Sequence, residues 1–130
     1  MNILDENILK DQRDLLLKWG VRIRQIGYEV SRKGIQDEDI IPWLLQLRHP
    51  TFFTLDSDFY ARSLCHRDYC LVCLDVRQDE AATFVRRLLR HREFNTQAKR
   101  MGKVIRLSTV RLSGWEIHRE KESNFAWQSE

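Results

Sequence analysis

Residues 51–60 read "TFFTLDSDFY". The run Phe52-Phe53-Thr54-Leu55 has the aromatic and β-branched make-up of a strand, and it ends at once in Asp56 and Asp58, with the aromatic pair Phe59-Tyr60 behind them. Two explanations exist for an apolar strand driven straight into two carboxylates. Either the acids cap the helix that follows, or they hold something cationic.

Outward from this stretch, strand and helix patterns alternate. Downstream, 69–75 is a continuous apolar strand. Residues 79–91 place Ala81, Phe84, Val85, Leu88 and Leu89 on one helical face, with Asp79 and Glu80 at its start and Arg86, Arg87, Arg90 and His91 toward its end, matching the helix dipole. The stretches "KVIRLS" and "TVRLSGWEIH" read as strands or a hairpin, and a short helix is expected near 58–64. Upstream, Ile3-Leu4 forms a short strand. Residues 8–19 follow as a helix with Ile8, Leu15, Leu16 and Trp19 inward, stopped by Gly20, and "VRIRQI" at 21–26 alternates as a strand. A helix over 40–48 is entered through "QDED", with Pro42 in its first turn, where a missing N–H costs little. Strands alternating with helices imply an α/β fold with a mainly parallel central sheet covered by helices.

Length and composition agree with that pattern. A chain of 130 residues, 42% hydrophobic, fits one domain with a core of its own. Residues 1–117 are expected to form it, and 118–130 a polar carboxyl-terminal tail whose Phe125 and Trp127 either fray or anchor on a partner. Net charge is only +3. If four of the 19 acids neutralise a metal, the remaining 15 face 22 Lys and Arg, and the rest of the surface stands at +7, which suits a nucleic-acid backbone.

Asp5 follows the first apolar residues too soon for a signal peptide, and no segment approaches the ~20 apolar residues that cross a bilayer, so a cytoplasmic location without membrane association is expected. Three cysteines, Cys65, Cys70 and Cys73, do not make a complete disulfide framework. Cys70-x-x-Cys73 lies within "YCLVCLDV", a buried strand, and reads as core rather than as a zinc knuckle.

In open α/β sheets functional groups gather beyond the carboxyl ends of the strands. Asp5 and Asp56 each directly follow an apolar strand, Asp58 comes two residues later, and Asp37, Glu38 and Asp39 stand at a helix mouth. Each acid also has a plainer role: Asp58 as a helix cap, Asp56 as a turn residue, Asp5 as a helix start beside Glu6 and Asn7, and 37–39 as a solvated helix entry. Together, hard oxygen donors of this kind favour Mg²⁺ or Mn²⁺, and two such ions ~4 Å apart position water for attack on phosphorus. Arg86, Arg87 and Arg90, or Arg22 and Arg24, are candidate phosphate contacts that otherwise make a solvated face.

The motifs "ILDENI" at 3–8, "QDEDI" at 36–40 and "TLDSDF" at 54–59, with Trp19-Gly20, "CLVCLDV" and "FVRRLLRH" in the places expected, resemble the short PIN-like domains of toxin components. The resemblance spans nearly the whole chain and implies a PIN-like three-layer sandwich. It also implies a metal-dependent ribonuclease, a toxin of a toxin–antitoxin pair. By similarity, Asp5, Asp37, Asp56 and Asp58 would be the catalytic, metal-binding (Mg or Mn) cluster, with Glu38 in place of Asp37 if Asp37 points outward. On this reading the candidate cations Arg86 and Arg90 would contact RNA, and the resemblance implies as partners an antitoxin protein and a second copy in a homodimer. The competing reading is a catalytically weak or inactive PIN-like module that acts by binding RNA or a partner.

Overall fold

The computed structural model describes residues 1–127. Its strands are β1 (Asn2–Leu4), β2 (Arg24–Gln25), β3 (Thr51–Thr54), β4 (Cys70–Asp75), β5 (Lys103–Ser108), β6 (Arg111–Glu116) and β7 (Ser123–Ala126), and its helices are α1 (Lys10–Lys18), α2 (Asp37–Leu44), α3 (Ala81–Arg90) and α4 (Gln97–Arg100). One sheet holds all seven strands in the order β2-β1-β3-β4-β5-β6-β7. The first five run parallel, and β6 and β7 add antiparallel pairs at one edge.

Strand periodicity decides the layers. In β1, β3, β4 and β5 neighbouring residues point to opposite faces. Leu4, Phe53, Val72, Leu74, Ile105 and Leu107 pack with α1 and α3 through Leu16, Phe84, Val85 and Leu88. Ile3, Phe52, Leu71, Cys73 and Val104 pack on the other side with Ile40 and Leu44 of α2 and with Phe59. Both faces are covered by helix, so the central strands carry almost no polar residue, as a parallel sheet requires. Phe52 and Phe53 are fully buried on opposite faces, each burial contributing about 1.5–3 kcal/mol.

Cys70 and Cys73 fall on opposite faces of β4, so their thiols cannot bind one ion together. Burial raises both to about 12, as expected for inert core thiols.

Several boundaries differ from expectation. The strand expected over 21–26 shrinks to Arg24–Gln25 because the end of α1 uses its first residues. Val21 N–H donates to Leu16 O and Gly20 N–H to Leu17 O, with Gly20 at φ 78, the paired bonds of a left-handed glycine cap. Helix α2 begins at Asp37, three residues early, and ends at Leu44. Its acids form the first turn, where they complement the dipole, while Pro42 lies deeper in the helix than the first turn. The helix expected over 58–64 is two 3₁₀ turns, Ser57–Phe59 and Arg62–Leu64, the first tightened by Asp56 accepting from Asp58 N–H at 2.9 Å.

The stretch read as a polar tail supplies β7. Phe125 packs edge-on against Phe94 at 5.2 Å, and Trp127 Nε1 donates to Ser108 O at 2.6 Å. Both aromatics therefore anchor on this chain itself; the last three residues of that tail, 128–130, lie outside the described residues. Among the described residues no helix is long and apolar enough to cross a membrane.

Candidate functional site

The strand order reverses at β1. The chain steps outward from β1 to β2, then crosses back over β1 to β3, and the crevice beyond the carboxyl ends of β1 and β3 is where an open α/β sheet binds its ligands. Asp5 follows β1 and Asp56 follows β3, so both face this crevice.

Asp5 continues the ladder, donating its backbone N–H to Phe53 O at 2.9 Å. Its carboxylate accepts from Thr54 Oγ1 at 2.6 Å and from Glu6 N–H at 2.7 Å. Asp5 is 9% exposed, and desolvation raises its pKa against the pull of those two donors, with the charges of Asp37 and Asp56 raising it further. Thr54 also accepts from Asp56 N–H at 3.0 Å, so one buried hydroxyl ties the two strand ends together.

Asp37 arrives from the first turn of α2. Its carboxyl is raised by desolvation, then by the charge of Asp56 and a hydrogen bond with the Asp56 side chain, and then by Glu38 and Asp58. Asp37 is exposed to solvent, and its side chain is directed at that of Asp56. Asp37, not Glu38, is therefore the residue that meets Asp56; both line a neighbouring cavity of about 310 Å³ with Asp58, Ile41, Phe59 and Leu64. Asp58 is exposed at this rim, its backbone bonded to Asp56. Asp37 and Asp56, brought by separate loops, are thus near enough to act on Asp5, and Asp58 is near enough to act on Asp37.

Sequence reasoning missed the supports. Gln25 is fully buried in β2 and its Nε2 donates to Asp5 O at 3.0 Å and Ile8 O at 2.8 Å, fixing the turn that carries Asp5. Glu6 accepts from Gly34 N–H through both oxygens, at 2.9 and 3.0 Å, and tethers the loop leading into α2. That loop closes because Gly27 has φ 85 and no side chain: a Cβ there would meet Lys33 at 3.0 Å and Glu6 at 3.1 Å. The available signals were Thr54 two residues before Asp56, a turn-forming spacing, and Gln25 in the apolar phase of Val21-x-Ile23-x-Gln25.

The cations are placed otherwise than the acids. Arg86 stacks over Trp19 with its guanidinium 3.7 Å from the ring centre, and Arg90 is exposed in the last turn of α3, which runs back from the crevice edge to the amino edge of the sheet. Arg22 and Arg24 line a cavity of about 600 Å³ at that same amino edge, with Met1 and Leu17. None of these four is brought to the acidic rim.

No protein-family model, no curated protein and no solved structure matches this chain. The PIN-like reading stands on the sequence motifs.

A hard divalent cation suits this donor set in kind: carboxylate oxygens only, close enough that their charges raise the pKa of Asp5 and Asp37. Their present arrangement is not a closed cage. Among the described residues no three His, Cys, Asp or Glu side chains converge as metal ligands, and both oxygens of Asp5 are engaged by Thr54 and Glu6.

Proposed function

We propose that this chain is a PIN-like, Mg²⁺- or Mn²⁺-dependent ribonuclease that hydrolyses phosphodiester bonds of single-stranded RNA, with Asp5, Asp37, Asp56 and Asp58 as the acidic site. The observation that carries the reading is the carboxyl–carboxyl contact of Asp37 with Asp56 beside buried Asp5, at the strand-order reversal. Like charges brought together from three loops cost stability in the free protein, and a bound cation relieves that cost. The toxin role and an antitoxin covering the rim follow from the family resemblance.

On this reading Asp37, Asp56, Asp58 and Asp5 would hold the metal, and the bound metal would supply neutralising charge and a more acidic water at the phosphate. The chain's own residues hold the acids ready. Thr54 donates to the Asp5 carboxylate and accepts from the Asp56 backbone, so it holds the Asp5 side chain and fixes the chain where it turns into Asp56. Gln25 and Glu6 fix the loops that bring Asp5 and Asp37 within reach of each other.

A second reading, an RNA- or partner-binding PIN-like module without turnover, is favoured by the lack of three converging donors among the described residues. A labelled single-stranded RNA separates the two. The nuclease reading expects cleavage that requires Mn²⁺ or Mg²⁺, stops with EDTA, and falls at least about a hundredfold in Asp56→Asn. Binding without cleavage at any metal concentration would establish the module instead.

A further inference from the structure

We propose that Arg106 and Arg111 form a phosphate subsite that holds the RNA strand one or more nucleotides from the bond placed on the acidic rim. This inference rests on the nuclease reading above and names the cations that reading lacks, since Arg86 and Arg90 lie elsewhere.

The placement follows from topology. Along the carboxyl edge the sheet presents β1, β3, β4 and β5 side by side, then the start of antiparallel β6. A cavity of about 450 Å³ opens there, lined by Asp75 at the end of β4, Arg106 and Ser108 of β5, and Arg111 and Ser113 of β6. It lies two strand spacings, about 10 Å, from the end of β3 where Asp56 stands, within reach of the next phosphates along a single strand. Arg106 and Asp56 are close enough that both act on the Cys73 thiol between them, in opposite senses.

Neither guanidinium group is held in a salt bridge among the described residues, and both residues are exposed. Among the residues lining the cavity Asp75 contributes one carboxylate against two permanent cations, and the Glu122 carboxylate lies beyond Tyr60, where its charge is met by the Tyr60 hydroxyl. Arg106 is also pre-positioned. Its guanidinium lies 5.2 Å over the Tyr60 ring, and the Tyr60 hydroxyl is itself held by Ser113 Oγ at 3.2 Å and by the Glu122 carboxylate. A stacked, anchored arginine loses little freedom when it binds a phosphate, and its fork matches phosphate oxygens. Positive charge next to the acids, rather than among them, also lets a polyanion approach a rim that would repel it.

The test is fluorescence anisotropy of a labelled single-stranded RNA 12-mer, titrated across salt in EDTA, and cleavage of the same oligonucleotide in Mn²⁺. Variants are Arg106→Gln with Arg111→Gln, the matching pair of Lys replacements, and Lys18→Gln as a control at the opposite edge. The expected result is a salt slope reduced by about 1.4 in the double Gln variant, because two phosphates are no longer neutralised, with affinity at low salt down about tenfold. The double Lys variant keeps most of the slope and Lys18→Gln all of it.

Unchanged slope and affinity in the double Gln variant overturn the subsite, as does a wild type without salt-dependent RNA binding. Arginine-dependent binding with no cleavage in Mn²⁺ leaves the subsite standing and removes the nuclease. Cleavage with arginine-independent binding does the reverse.

Discussion

The two edges of the sheet both concentrate like charge, and they handle it differently. At the amino edge Arg100 is 7% exposed, yet its Nε donates to Thr51 Oγ1 at 2.9 Å and its Nη1 to Phe94 O at 2.8 Å. Burial lowers its pKa, and it lowers that of the nearby Met1 amine, but its hydrogen bonds go to neutral acceptors that join α4, β3 and the loop after α3. At the carboxyl edge Asp37 and Asp56 bond to each other, and Asp5 feels both. A charge supplied with neutral partners is a clamp, whereas like charges set against one another make a site suited to a cation.

The largest effect should come from the clamp. Arg100→Met leaves Phe94 O and Thr51 Oγ1 without their donor and is expected to cost about 2–4 kcal/mol in urea unfolding. The response to Mn²⁺ at the other edge should be unaltered. A variant as stable as the wild type would remove the distinction between the edges.

A smaller loss is expected for Thr54→Val, which deletes the hydroxyl shared by Asp5 and the Asp56 backbone. About 1–2 kcal/mol should disappear, and Asp5, having lost a donor to its charged form, should titrate still higher. NMR titration of the Asp5 carboxyl reads this directly; a downward or absent change would show that the hydroxyl does not support the charged form.

Smallest, and opposite in sign, is the effect of Asp37→Asn. Asp5 and Asp37 have folded-state pKa values above their ordinary ones, so the native state binds more protons than the unfolded state between the two values. Their contribution therefore falls as pH rises from the ordinary carboxylate range through the raised values, and the penalty is complete above them. In EDTA, Asp37→Asn should remove part of that decline and melt at the wild-type temperature or ~1–2 °C higher near neutral pH. A clear drop in melting temperature would mean that Asp37 serves the fold as a helix-start acid.

These contrasts also show what a single chain discloses. The parallel sheet was legible because Phe52-Phe53 and "CLVCLD" are strands apolar on both faces, a pattern that helices on both sides demand. The acids were legible because Asp5 and Asp56 each follow such a strand at once. Their supports were not: Thr54 and Gln25 act across 49 and 20 residues of sequence separation, through pairings that exist only once the strands are adjacent. The arginines were not legible because helical end-loading with Arg looks the same whether it serves a dipole, a stacked Trp19 or a phosphate. Strand β7 escaped notice because its outer positions are polar and it pairs only at the sheet edge.

The central claim, that the carboxyl edge is a cation site and not only a set of caps, is tested most directly by melting the metal-free protein against rising Mn²⁺, wild type beside Asp56→Asn. A ligand bound only by the folded form stabilises by mass action, about 2.7 kcal/mol at a hundred times its dissociation constant, or roughly 8–10 °C for a chain of this length. The wild type should climb in this way, while Asp56→Asn starts level or higher and gains far less. An Asp56→Asn protein that shows the full metal-induced rise would contradict the account.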